Sequence, residues 1–387
     1  MKKIVKRTLI VIVVIFAVLA AAIYIVWGNE IKSLLSLEQK IAQDMSHGDG
    51  YTYEMTISGD YYFDEFLEQG GATSDQELIS FVTEKITKGL IPMTIEESEI
   101  ACSSFTARTE DGDYLLGRNY DFDQTNTAIV HTNPGNGKHA SISTIDLQFI
   151  GIDPKKGVNG ISDKLKLLAA PYVPLDGVND AGVSCGIYMT YQGKETVPTD
   201  QNTERPDLTS TTMLRMVLDY ADNVDEAIEM ISKYDLHDSA KTSYHYMIAD
   251  AEGNSAVLEW VNGTDQTDND GSKREFQITR NELPYQSVTN FILAPGYYEA
   301  NDEQAGLDRY EYLMGKLNAS NGVLEDEEEA MGLLRDVGRR TWKVEGDVTK
   351  GTTVHSVVYN LTDRSSLWVA NEHFGSEEHT LTYELDE

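Results

Sequence analysis

The stretch that decides the reading of this chain runs from Cys102 to Phe122: Cys102-Ser103-Ser104-Phe105-Thr106-Ala107-Arg108, then Asp111-Gly112, then Tyr114-Leu115-Leu116-Gly117-Arg118-Asn119-Tyr120-Asp121-Phe122. Two strand-like runs flank an Asp-Gly pair, the strongest short-range hairpin signal. With Asp111 and Gly112 as a two-residue loop, Asp121 stands across from Cys102 and Arg118 across from Phe105. Side chains alternate along a strand, so Arg118 and Cys102 then fall on opposite faces. A bulge near Asn119 or Tyr120 is expected to reunite them. A thiol at such a place is a candidate nucleophile. A carboxylate beside it can hold an ammonium group, and a nearby arginine favours the thiolate.

The N-terminus adds a second constraint. Lys2, Lys3, Lys6 and Arg7 precede an apolar run over residues 9–27, and no acidic residue occurs before Trp27. The run is about long enough to cross a bilayer as a helix, and Ala20-Ala21-Ala22 offers a small-residue cleavage site. A signal anchor or signal peptide over residues 1–27 is expected, with membrane contact through residues 9–27. Basic residues on its N-terminal side keep that end in the cytoplasm. The body is then single-pass anchored outside the cytoplasm, or secreted.

The chain carries a formal charge of −33 at pH 7, and the part beyond Trp27 is more negative still. Such a surface repels nucleic acid and anionic lipid and favours solubility. No Cys-x-x-Cys pair or His-rich tract occurs, so neither a structural zinc site nor a cofactor is expected. Cys102 and Cys185 are the only cysteines. A disulfide between them would remove the nucleophile; otherwise Cys185, in Gly182-Val183-Ser184-Cys185-Gly186-Ile187, reads as a buried inert thiol.

Three parts follow: the anchor (1–27), a connecting segment (28–101) and a body (102–387). The connecting segment is no spacer. Ser74-Asp75-Gln76-Glu77 is a capping box, followed by Leu78, Ile79, Phe81, Val82 and Ile86 at helical spacing and by Gly89 as a stop. It reads as a helical pro-segment. In the body, strands are predicted over Ser141 to Ile150, Val183 to Tyr191, Tyr244 to Ala249, Ser255 to Val261, Phe276 to Arg280, Val354 to Leu361 and Ser366 to Asn371. Helices are predicted over Thr211 to Tyr220, Val224 to Lys233, Glu303 to Leu317 and Glu325 to Asp336. Helices gathered between runs of antiparallel strands indicate an α+β class with sheets sandwiched by helices.

Thiol-dependent amide hydrolysis needs a base for the thiol proton, donors for the oxyanion and an acid for the leaving amine. None of the eight histidines lies in a recognisable Cys-His context. The nucleophile's own α-amine, with an ordinary pKa of about 7.7–8.0, is the other available base. Using it requires that the Ala101–Cys102 bond be cut.

Taken in order, Cys102-Ser103-Ser104-Phe105, the Asp111-Gly112 turn, Gly117-Arg118-Asn119-Tyr120-Asp121-Phe122, Gly177-Val178-Asn179-Asp180-Ala181-Gly182-Val183, Val288-Thr289-Asn290 and Asp308-Arg309-Tyr310 resemble the N-terminal-nucleophile (Ntn) linear amide hydrolases. That superfamily includes choloylglycine (bile salt) hydrolases, penicillin V acylases, acid ceramidase and isopenicillin N acyltransferase-type enzymes. The resemblance spans the body and implies a four-layer αββα sandwich preceded by a pro-segment that the chain removes by autoproteolysis.

Residue by residue, it implies that Cys102 is the nucleophile and its freed α-amine the base. Asp121 orients that amine and Arg118 sits beside the sulfur. Asn290 donates to the oxyanion, Arg309 is the second arginine, and Asn179 braces the site. Tyr188 occupies a substrate-side position where penicillin V acylases have tyrosine and bile salt hydrolases asparagine. The implied partner is a small N-acyl amide, cleaved through a thioester, with no metal or organic cofactor. The acyltransferase use of that thioester and an inactive cell-surface binding protein on the same fold are the alternatives. The residues also have plainer readings: Arg118 and Asp121 as a surface ion pair, Asn290 as a turn cap, and Arg309 as part of an exposed helix face with Asp308 and Glu311. Ile100 and Glu99, ahead of Ala101, form no recognisable processing signature.

Overall fold

The computed structural model describes residues 2–89, 101–191, 197–262, 270–299, 302–339 and 352–385. Ile100 and Glu99 lie outside them, as do parts of the polar loops Gly193 to Asp207 and Asn262 to Lys273.

The decisive hairpin forms with a different turn. Strands Ala101–Thr109 and Tyr114–Phe122 pair antiparallel, but the loop has three residues, Glu110, Asp111 and Gly112. The Thr109 N–H donates to Asp113 O at 2.8 Å, and the Thr109 hydroxyl oxygen accepts from the N–H groups of Gly112 and Asp113. A two-residue type I′ loop needs positive φ at both positions; among these residues only Gly112 has it, at 106°. The extra residue moves the register by one. Cys102 therefore faces Tyr120, Ser104 faces Arg118, and Ala101 faces Asp121. That shift alone returns Arg118 to the Cys102 side. The bulge expected in the hairpin is absent, and the register break lies across the next strand pair, between Thr353 and His355 opposite Asp121 and Tyr120.

Among the described residues the hairpin belongs to a sheet ordered Ser287–Val288, Ala101–Thr109, Tyr114–Phe122, Thr352–Asn360, Ser365–Ala370 and Thr380–Glu384, with Val323–Leu324 also paired to the Cys102 strand. A second sheet runs Glu38–Ile41, Thr52–Ser58, Thr127–Asn133, Ser141–Asp146, Asp176–Asn179, Ser184–Met189, Tyr244–Ala249, Ser255–Val261 and Glu275–Arg280. The two sheets face each other. Tyr188 Oη donates to Ser104 Oγ at 2.6 Å, Tyr120 Oη to Asp146 at 2.8 Å and Tyr359 Oη to Asp176 at 2.6 Å across the interface.

Strand alternation sends the other side chains outward to helices. Phe105, Leu115 and Val358 pack with Leu313 and Leu317 of helix Leu307–Ser320 and with Ala330 and Leu334 of helix Glu327–Asp336. On the far side, helix Ser210–Tyr220 covers the second sheet, where Cys185 Sγ lies 3.9 Å from Leu214 O. The result is a mixed α/β sandwich with helices on both outer faces.

Most predicted elements occur with ends shifted by a few residues. Two readings change. The run Ser141 to Ile150 is a strand only to Asp146. The Asp146 carboxylate then accepts from the Gln148 N–H at 2.8 Å and turns Leu147–Ile150 into a 3₁₀ helix. The segment 28–101 is also more than helical: besides the capped helix Asp75–Lys85, it supplies Glu38–Ile41 and Thr52–Ser58 to the second sheet, the latter parallel to Thr127–Asn133. Met55, Phe63, Phe66 and Leu78 from it are buried in the main core.

The N-terminal helix, Lys2–Ser36, continues past the expected boundary at Trp27. Its last turn docks on the body, where the Ser58 N–H donates to Ser33 Oγ and the Thr56 N–H to Ser36 Oγ. No single helix among the described residues is long and apolar enough to cross a membrane. The pair Lys6–Val18 and Ile23–Ser36, bent by 56°, passes that test together.

Candidate active site

Cys102 is the second residue of its strand and is fully buried between the sheets. Cys185 is also buried, and both thiols are free, so the disulfide alternative does not hold. Arg118 Nη2 lies 3.6 Å from Cys102 Sγ. Three groups fix that guanidinium: Asp176 Oδ2 at 2.9 Å from Nε, the Tyr188 ring at 4.6 Å from Cζ, and the bare Cα of Gly186. A Cβ on Gly186 would stand 2.5 Å from Arg118 Nη1 and 2.7 Å from Tyr188 Oη. The Nε and Nη1 hydrogens make no well-directed hydrogen bond, so the Asp176 contact acts by charge. Asp176 is further held by His355 Nε2 at 3.1 Å and the Tyr359 hydroxyl.

Asp121 occupies the opposite face of the hairpin, beside Ala101. Its Oδ1 accepts from Thr353 Oγ1 at 2.7 Å and its Oδ2 from Arg309 Nη1 at 3.0 Å. Arg309, the third residue of helix Leu307–Ser320, also donates to the Cys102 carbonyl at 2.9 Å and to Asn290 Oδ1 at 2.7 Å. Asn290 follows the short strand Ser287–Val288 that pairs with Phe105 and Ser104. Its Oδ1 accepts the Cys102 N–H at 3.3 Å, while Nδ2 donates to Met189 O at 2.7 Å. Two donors at the oxygen and an acceptor at the nitrogen fix the amide's orientation, and one Nδ2 hydrogen is left to point elsewhere.

Arg118, Asp121, Asn290 and Arg309 are all nearly inaccessible to solvent, which removes the surface ion-pair, exposed-helix and turn-cap readings. Asn179 stands apart. Its Oδ1 accepts from the N–H groups of Ala181 and Val183 and its Nδ2 donates to Ala221 O, so it ties its own turn to the neighbouring helix. Tyr188 supports Arg118 and Ser104 from the facing sheet.

Burial dominates the electrostatics. It pushes the Cys102 thiol up to about 11, against the lowering pull of Arg118. Asp121 is raised by burial as well, with Arg309 acting against the shift. Burial disfavours the Arg118 cation, and the Asp176 carboxylate, itself held below its ordinary value, acts against that so that the guanidinium stays charged. The sulfur is therefore a protonated thiol at neutral pH, beside a fixed cation. His245 is committed to Glu259 at 2.9 Å and to the Thr289 carbonyl at 2.8 Å, and His355 to Asp176, so neither histidine serves as a base for Cys102.

Sequence reasoning missed Asp176, Thr353 and Gly186. Asp176 immediately precedes the quoted Gly177-Val178-Asn179, so it was within reach of that motif. Thr353 and Gly186 gain their roles only from strand pairing and inter-sheet contact.

The fold thus brings together a buried thiol, two guanidinium groups, a carboxylate and an oriented amide, groups of the kinds that thiol-dependent amide hydrolysis calls for. Residues 102–265 match the sequence model of the linear amide C–N hydrolases, choloylglycine hydrolase family. The resemblance read from the sequence is thereby shown for that stretch, and with it the reaction class: a hydrolase acting on carbon–nitrogen bonds of linear amides. No curated protein matches the chain. Similar solved structures include a mutant conjugated bile acid hydrolase from Clostridium perfringens, at 14% identity over 74% of this chain and 97% of that one, TM-score 0.48. Penicillin V acylase from Agrobacterium tumefaciens has 15% identity over 73% and 86%, TM-score 0.48. The Caenorhabditis elegans ortholog of N-acylethanolamine-hydrolyzing acid amidase has 16% identity over 74% and 100%, TM-score 0.40.

Proposed function

We propose that this chain is a precursor of a cysteine Ntn hydrolase that cuts its own Ala101–Cys102 bond and then cleaves a small N-acyl amide through a thioester at Cys102. The observation that carries the proposal is the double grip on one residue: Arg118 3.6 Å from its sulfur and Arg309 2.9 Å from its carbonyl, with Asp121 across from Ala101. In the processing step Sγ attacks the Ala101 carbonyl carbon, the carbon–nitrogen bond breaks, and the thiol proton passes to the departing nitrogen. That step frees the Cys102 α-amine and leaves Ala101 as a thioester on Sγ; water then hydrolyses the thioester, releasing the Ala101 carboxylate and restoring the thiol.

That amine, beside Asn290 Oδ1 and the Asp121 carboxylate, takes the thiol proton in turnover and returns it to the leaving amine of the substrate. The spare Nδ2 hydrogen of Asn290 suits it to the oxyanion. Arg118 stabilises the thiolate, while Arg309 holds the new N-terminal residue in place. Tyr188 is a positioning residue for Arg118, and Asn179 braces only the turn that follows the strand carrying Asp176.

The segment 28–101 acts as the pro-segment and remains bound after the cut. It contributes two strands to one sheet, and its buried Met55, Phe63, Phe66 and Leu78 are each worth roughly 1.5–3 kcal/mol of apolar burial. The exposed apolar side chains between Leu9 and Val18 and the basic residues before them support an anchor with the body outside the cytoplasm. A body held by such a pro-segment stays at the membrane after processing.

The test is turnover of a panel of N-acyl amides differing in acyl chain and amine by wild type and Cys102→Ala, with mass spectrometry of denatured, quenched enzyme. An acyl adduct on the peptide beginning at Cys102 is expected. Turnover retained by Cys102→Ala would exclude the mechanism.

A further inference from the structure

Away from the active site, two distant segments bring His47, Asp49 and His373 together. His47 Nδ1 lies 2.6 Å from Asp49 Oδ1, and His373 Nε2 lies 2.7 Å from Asp49 Oδ2. One ligand atom from each residue can be chosen so that all lie within 4.8 Å of one another. The Asp49 side chain is 2% exposed, whereas those of His47 and His373 are 44% and 27% exposed. A buried carboxylate between two solvent-reachable imidazoles is a site with an anionic floor and an open entrance.

The backbone on both sides holds this arrangement. The loop before Asp49 winds around Asp44, whose carbonyl accepts from the N–H groups of His47, Gly48 and Asp49 and whose carboxylate accepts from Ser46. On the other side Asn371 and Glu372 adopt left-handed conformations with φ of 51° and 59°, an uncommon pair for residues with side chains. They turn the chain so that His373 points back at Asp49. The two loops are pinned by reciprocal hydrogen bonds between Asn371 and Gly50, and Gln124 Nε2 donates to the Asp49 carbonyl at 3.0 Å. His379 stacks on His373 with centroids 3.9 Å apart, its Nδ1 engaged by Ser376.

We propose that His47, Asp49 and His373 bind one divalent transition-metal ion of the zinc class. Two imidazole nitrogens and one carboxylate oxygen suit zinc better than calcium or magnesium, which prefer oxygen-only shells. Around a tetrahedral ion with bonds of ~2.0–2.1 Å, neighbouring ligand atoms sit ~3.3 Å apart. The hydrogen-bonded separations of 2.6 and 2.7 Å open to that by small rotations of the two partly exposed rings, His47 for the first and His373 for the second. The spacing rules that exclude a zinc motif in the sequence do not reach this site, because its ligands come from opposite ends of the chain. Residues 47 and 49 precede Cys102 and residue 373 follows it. On the reading that the chain is cut at Cys102, the ion is a clip between the two products.

The test is titration of cobalt(II) into chelator-treated full-length protein in detergent. Saturation at one equivalent with visible ligand-field bands is expected, and zinc(II) should displace it. His47→Ala, Asp49→Asn and His373→Ala should each weaken binding by about tenfold or more, the scale on which even outer-shell partners act. His47→Gln, on the exposed side of the cluster, serves the same purpose if His373→Ala fails to fold. Absence of saturable cobalt binding to the wild type, or binding unchanged in the His47 variants, would overturn the proposal and leave a hydrogen-bonded His–carboxylate cluster. The readout is independent of chain cleavage and of amidase activity.

Discussion

Adding a single methyl group at Gly186 tests whether the place of Arg118 matters. Gly186 lies mid-strand opposite Asp176 and Met247 without positive φ, so Gly186→Ala carries no backbone strain. Its Cβ would meet Arg118 Nη1 at 2.5 Å and Tyr188 Oη at 2.7 Å, where comfortable contact is about 3.5–4.0 Å. The guanidinium must retreat by roughly 1 Å, and a misplacement of that size costs about 10²-fold in rate, or about 2.7 kcal/mol of transition-state stabilisation. Overpacking adds about 1–3 kcal/mol of destabilisation. The assay is kcat/KM on the best N-acyl amide from the panel. Because Arg118 lowers the Cys102 pKa, alkylation of Cys102 in Gly186→Ala should also need higher pH than in wild type, the two compared in the same processing state. A variant that keeps kcat/KM within about threefold of wild type, with an unshifted alkylation profile, would refute the role assigned to Arg118; the threefold margin is well inside the expected 10².

Two further predictions concern buried carboxylates. Asp121→Asn keeps the shape of the site but removes the anion between Arg309 and Thr353, so kcat/KM should fall by about 10²-fold or more. Circular dichroism should remain native; full activity would remove Asp121 from the site. Asp146 is raised by burial to about 6 from an ordinary 3.8, with hydrogen bonds from Thr125, Gln148 and Tyr120 acting against the shift. The folded state thus holds a proton that the unfolded state has released, and the stability this contributes is full below about pH 4 and is lost as pH rises through about 6. Two pKa units correspond to about 3 kcal/mol. Urea unfolding of Asp146→Asn against wild type should show the variant gaining relative stability by up to that amount between pH 4 and pH 7, and a gap independent of pH would contradict the assignment.

How much of this was legible in the sequence varies with the reach of each interaction. The hairpin, the capped helix at Ser74 and the strands Tyr244–Ala249 and Ser255–Val261 rest on local periodicity and turn chemistry, and the structure bears them out. The register of the hairpin was not legible, because Thr109 uses its hydroxyl to convert an Asp-Gly turn into a three-residue loop. One residue of loop length reverses which face Arg118 occupies. Cys102, Arg118, Asp121, Asn290 and Arg309 could be named from their order and types, and the fold gathers all five. Their supports could not: Asp176 reaches Arg118 across the two sheets, and Thr353 is turned toward Asp121 by a bulge on a strand far along the chain. The strands Glu38–Ile41 and Thr52–Ser58 were also missed, since strands near a sheet edge carry little of the apolar run that marks a buried one.

The central claim is that Cys102 frees itself. Intact mass and N-terminal sequencing of the purified wild type, beside Cys102→Ala prepared in the same way, test it most directly. The account predicts a fragment beginning at Cys102 in the wild type, co-purifying with the segment that precedes it, and a single uncut chain in Cys102→Ala. An uncut wild type, or the same cut in Cys102→Ala, would contradict it.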